Sequence, residues 1–132
     1  MMRIIDLVHR WAGGIMGLVL AVLGLTGAIL VHKEEWIALP HAGDARVADA
    51  AAIADTTARI LAAEPEAESI IYASDRFGLH QLRLPDGAAY YDQSGHLVTR
   101  WSSQWERPEI WLFDLHHHLF TGDVGEWVSG IA

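Results

Sequence analysis

Histidine stands at three places where the chain changes character. His9 precedes a long uncharged apolar run, His32 follows it directly, and His116, His117 and His118 sit together near the C-terminal end. Neutral imidazole is a common axial ligand of haem iron, and two imidazoles on one iron give a closed, electron-transferring centre rather than an open catalytic one. The sequence contains no cysteine, which excludes disulfides, thiolate metal sites and the thioether attachment of a c-type haem. Redox chemistry at these histidines would therefore run through a haem b held noncovalently. Zinc is a weaker option for the triplet, because no carboxylate at a matching spacing completes a site. Each histidine also has a plainer role to set against ligation: His9 beside Trp11 as an interfacial anchor, His32 beside lysine and glutamates as a solvated group, and His116 as a polar helix cap.

The element that positions His9 and His32 is the run from Trp11 to Val31. As a helix of about 21 residues it reaches about 30 Å, the hydrocarbon thickness of a bilayer. It is longer than the apolar core of a secretory signal, and no small-x-small pattern follows it, so it reads as an uncleaved anchor. Arg3 and Arg10 precede it, whereas Lys33 is followed by Glu34 and Glu35, which predicts a cytoplasmic N-terminus and an extracytoplasmic segment after His32. In a bacterium that is the inner membrane, with the following segment in the periplasm. His9 and His32 are about 35 Å apart along such a helix and cannot share an iron. Two sites, one at each face, would each need a second histidine. The outer one has a candidate in the triplet, where successive side chains point about 100° apart, so that only one can face a given iron. The inner one, His9, needs another membrane helix or a second subunit. Gly13, Gly17, Gly24 and Gly27 fall within about 80° of arc on the His9 side, a flat groove for a neighbouring helix or a haem.

The fold expected is membrane α+β: a transmembrane helix within residues 1–35, a small helix-plus-antiparallel-sheet module over 36–110, and the start of a second transmembrane helix over 111–132. Residues 46–63 are alanine-rich with apolar residues at helical spacing, Asp49 near the start and Pro65 beyond the end. Extended pieces are predicted at 69–73, 79–84, 88–92 and 96–101, separated by Pro85-Asp86-Gly87 and by Asp92-Gln93-Ser94-Gly95. His41, His80 and His96 fall in this module as ordinary surface or strand residues. Trp36, Trp101, Trp105, Trp111 and Trp127 read as an interfacial belt seating the module on the bilayer. Only about six apolar residues follow Glu126, too few to cross, so the chain reads as an N-terminal piece of a longer protein.

Several segments resemble the PepSY-associated transmembrane family. They are His9-Arg10-Trp11-Ala12-Gly13, Leu25-Thr26-Gly27, His32-Lys33-Glu34-Glu35, and Leu115-His116 followed by Leu119, Gly122 and Gly125. Tyr90-Tyr91-Asp92-Gln93-Ser94-Gly95-His96-Leu97 resembles the strand, turn and strand that close a PepSY module. The resemblance implies a PepSY module held in the periplasm between membrane helices, and a relation to haem-bearing ferric-siderophore reductases. From the triplet it selects His116 as the ligand to pair with His32, with His117 second.

The net charge of -8 argues against nucleic acid and anionic lipid heads as partners. No Gly-x-Ser-x-Gly, dinucleotide fingerprint or phosphate loop is present, so neither hydrolysis nor direct NAD(P)H binding is expected. No catalytic residue is assigned. Two readings follow: a b-haem electron carrier assisting reduction of a ferric chelate or similar acceptor, or a noncatalytic sensor or inhibitor whose module captures a periplasmic protein through a strand edge.

Overall fold

The computed structural model describes residues 2–131. It divides into two compact units, one made of the chain up to His32 together with the chain from Pro108, the other of Lys33–Arg107.

The first unit is helical. Helix α1 (Met2–Val31) carries the apolar run and is the one element among the described residues long and apolar enough to cross a membrane. Its apolar side chains are exposed around much of the circumference, Trp11 and Leu18 by about two thirds, a surface of the kind that marks a membrane or protein contact. It ends where the His32 N–H bonds to the Ile29 carbonyl at 3.2 Å, a tightened last turn. Two further helices complete the unit, α4 (Pro108–His118) and α5 (Asp123–Ile131), and α4 lies against α1. Over 111–132, the stretch expected to start a second membrane helix, the chain is helical on both sides of a turn. Leu119, Phe120 and Gly122 have φ of 46°, 58° and 60°, and this left-handed run ends α4 and turns the chain back. Gly125 allows α5 to approach, because a Cβ there would fall on the His118 carbonyl. The Ser129 hydroxyl then donates to the His117 carbonyl at 2.8 Å.

The second unit begins with the short helix α2 (Lys33–Ala38), which runs into a 3-10 turn at Leu39–His41. Helix α3 (Ala50–Ala63) starts four residues later than the alanine-rich pattern, because the Asp49 carboxylate accepts the Ala52 N–H at 2.9 Å and caps the helix there. Strands β1 (Ser69–Ile71), β2 (His80–Leu84), β3 (Gly87–Tyr91) and β4 (Leu97–Trp101) form the expected antiparallel sheet in the order β1-β2-β3-β4. Leu82 pairs with Ala89, and His80 with Tyr91.

Alternation on β2 turns His80, Leu82 and Leu84 inward. Ile60 from α3 packs with Leu82, Leu84, Ala89 and Tyr91 as the core. An aromatic cluster of Phe77, Tyr90 and Trp101 forms elsewhere on the unit, with the Arg107 guanidinium 5.4 Å from both the Tyr90 and Trp101 ring centres. Trp101 is therefore buried and does not belong to the expected interfacial belt. Its ring is enclosed by its own sheet, whereas Trp105 and Trp127 are exposed.

Candidate functional site

Within the helical unit, polar chemistry gathers where α4 crosses the C-terminal third of α1. Thr26 breaks the apolar run, and a lone hydroxyl in such a helix needs a partner. It donates to the Val22 carbonyl one turn back at 2.7 Å, with Leu23 carbonyl at 3.2 Å as a weaker second acceptor. On its other side, Thr26 Oγ1 lies 3.0 Å from His116 Nδ1, a contact between residues 90 positions apart. Thr26 is only 5% exposed and His116 is half-buried.

Gly27 supplies the room. A Cβ there would stand 3.0 Å from His116 Cε1 and 3.6 Å from both ring nitrogens, so the imidazole lies directly on the α1 backbone. Nothing within the described residues hydrogen-bonds His116 Nε2. Of the other glycines on the groove, Gly13, Gly17 and Gly24 face open space.

The remaining histidines of the triplet diverge, as helical geometry requires. The exposed His117 ring stacks on Phe113, with centroids 4.2 Å apart and planes inclined by 30°. His118 Nδ1 meets the Asp114 carboxylate at 3.2 Å across one helical turn. Among the described residues no three His, Asp or Glu side chains converge as a metal site. His32 is exposed just past the end of α1, about 7.5 Å further along the axis than Gly27. His9 is exposed about 25 Å away along the same helix, outside the cluster.

The second unit holds its own buried histidine. His80 is 4% exposed, its Nδ1 accepts the Ala73 N–H at 3.0 Å, and no described residue pairs with its Nε2. Burial lowers its pKa below the ordinary value, with the nearby Asp92 carboxylate opposing. Burial also works to raise Asp92, but backbone amides of His96 and Ser94 and the His96 imidazole outweigh it, and the Asp92 carboxyl is held low. A cleft of about 410 Å³ opens beside the 72–79 loop. Its charges are already paired: Arg46 with Asp75, Arg76 with Glu34, and His41 with Asp44.

The sequence profile of the PepSY-associated TM region matches residues 7–132. The chain belongs to that family. No curated protein and no solved structure matches it. A PepSY-type, membrane-associated protein agrees with α1, which is long and apolar enough to cross a membrane. Thr26 and Gly27 stand in one of the segments that carry the family likeness, yet nothing local marked them as the seat of His116. The available signal was a hydroxyl inside an otherwise apolar run. For this PepSY-type chain that seat, with one ring nitrogen bound and the other open, is the arrangement with chemical potential.

Proposed function

We propose that this PepSY-type protein is a membrane b-haem electron carrier. It sits in the bacterial inner membrane with its N-terminus in the cytoplasm and its α+β module in the periplasm. Its task is to pass electrons towards an extracytoplasmic acceptor such as a ferric chelate. The observation that supports this best is His116: one nitrogen is tied to Thr26, the ring rests on Gly27, and Nε2 makes no hydrogen bond among the described residues. That donor set suits an axial position on haem iron, which needs a neutral imidazole with a fixed orientation.

His116 is the outer ligand in this reading, His32 is its expected partner, and His117 is the alternative from the same helix. His9 is an inner-face ligand whose partner comes from another membrane helix or a second subunit. The open groove along Gly13, Gly17 and Gly24 supports close approach of a flat group or a helix on that side. Haem would supply one-electron cycling between ferric and ferrous iron. The chain's part is to bind it, fix its ligand and keep it at a defined depth.

The test is a dithionite-reduced minus oxidised spectrum of the natural full-length protein in detergent, with pyridine haemochrome quantitation. Sharp b-type bands that vanish in His116→Ala are expected. A correctly inserted protein that stays colourless when supplied with haem would overturn the reading, leaving a tethered partner-binding module.

A further inference from the structure

We propose that Thr26 is the positioning residue that decides which nitrogen of His116 is free, and that it selects the tautomer with hydrogen on Nδ1 and the lone pair on Nε2. This deepens the haem reading and takes its ligand from it, but the tautomer stands on geometry alone. Thr26 has a single hydroxyl hydrogen. The Val22 carbonyl carries none, so the 2.7 Å separation between those two oxygens is a hydrogen bond only if Thr26 donates. That commits the hydrogen, and only lone pairs of Oγ1 remain to face His116. The 3.0 Å contact to Nδ1 must then run from Nδ1–H to Oγ1.

A neutral imidazole with hydrogen on Nδ1 presents its lone pair at Nε2. The reverse assignment would either strip the Val22 carbonyl of the hydroxyl, turned instead to Nδ1, or keep that bond and leave two lone pairs opposed across the contact to His116. Gly27 completes the arrangement sterically. With the ring pressed on the backbone at that position, a flip about Cβ–Cγ, which would put Cδ2 in place of Nδ1 against Thr26, must sweep an imidazole edge past α1. Thr26 thus acts on the iron ligand as a second partner acts on a metal-bound histidine, by fixing ring orientation and tautomer through the distal nitrogen.

The experiment uses the full-length protein with ¹⁵N-labelled histidine in detergent micelles at about pH 8.5, above the ordinary imidazole range. The His116 signals are assigned by their loss in His116→Ala. Wild type is expected to show the Nδ1–H tautomer, Thr26→Val to lose it, and Thr26→Ser to restore it. Retained micelle size and circular dichroism establish that each variant is folded. In the same preparations haem titration is expected to weaken about 10- to 100-fold in Thr26→Val and to recover in Thr26→Ser. An Nε2–H tautomer in wild type, or an unchanged tautomer in folded Thr26→Val, overturns the inference. If all three proteins show the expected tautomers but none takes up haem, the positioning role stands and the haem reading falls. If His116-dependent haem bands appear and Thr26→Val changes neither tautomer nor affinity, the haem reading stands and Thr26 is only packing.

Discussion

Replacing Gln93 by leucine should loosen the whole soluble unit although Gln93 lies in a turn. The side chain is 7% exposed and joins two otherwise separate loops. Its Oε1 accepts the Val47 N–H at 3.1 Å, and its Nε2 donates to the Gly78 carbonyl at 2.9 Å. Its own carbonyl accepts the Thr56 hydroxyl from α3 at 3.4 Å, a bond that the substitution leaves in place. Leucine fills a similar volume but strands one donor and one acceptor, each worth about 1–3 kcal/mol when buried without a partner. Val47 and Gly78 are half-buried rather than fully enclosed, so water recovers part of that cost. The expected loss is about 2–3 kcal/mol, or about 30- to 150-fold faster exchange of amides in β2 and β3 when exchange follows the opening equilibrium. Gln93→Glu keeps the acceptor for Val47 but not the donor to Gly78 and should lie between. Hydrogen exchange measured on the full chain in micelles reads this directly. Protection in β2 and β3 within a factor of about 2 of wild type would refute the idea that this side chain ties the loops together.

Ile60→Ala removes the α3 residue at the centre of the core, at 1% exposure, and should cost about 2–5 kcal/mol in chemical unfolding of the sheet unit; a smaller loss than about 1 kcal/mol would mean the helix is not its main cover. Gly27→Ala asks the His116 ring to shift by only a few tenths of an ångström, whereas Gly27→Leu needs the space the ring occupies and should lower stability in detergent by about 1–3 kcal/mol. A leucine variant as stable as wild type would be incompatible with the imidazole lying on α1. The His80 pKa is lowered in the folded state, so as pH falls through the ordinary value near 6.5 the unfolded chain takes up a proton first. Stability of the sheet unit should therefore decline with acidification from about pH 7.5 until the folded value is reached, and His80→Phe should flatten that slope. Parallel slopes in the two proteins would show that His80 is not the group responsible.

The sequence by itself determined the elements whose signal is local. An uncharged run of sufficient length specifies α1 because every backbone group in an apolar solvent must be bonded within the helix. Alternating burial and turn residues placed four strands within a few residues of β1 to β4, and Asp49 with Pro65 bracketed α3. The histidines were visible as residue types, and their spacing along α1 already separated His9 from His32. Tertiary structure decided what those residues meet. Trp101 reads like any interfacial tryptophan until the sheet folds its ring against Tyr90 and Arg107. Gln93 reads as a turn residue until two distant loops arrive at its amide. The break at Leu119 and Phe120 falls on two residues that rarely take a left-handed backbone, and only Gly122 and Gly125 beyond it hint that α5 packs back on α4. Thr26 and His116 stand 90 residues apart, and only the crossing of α4 over α1 brings the hydroxyl and the imidazole within 3.0 Å. Helices and strands follow from interactions a few residues apart, which the order of side chains encodes directly. A donor and its acceptor across a fold depend on where the chain returns, and that is settled by packing.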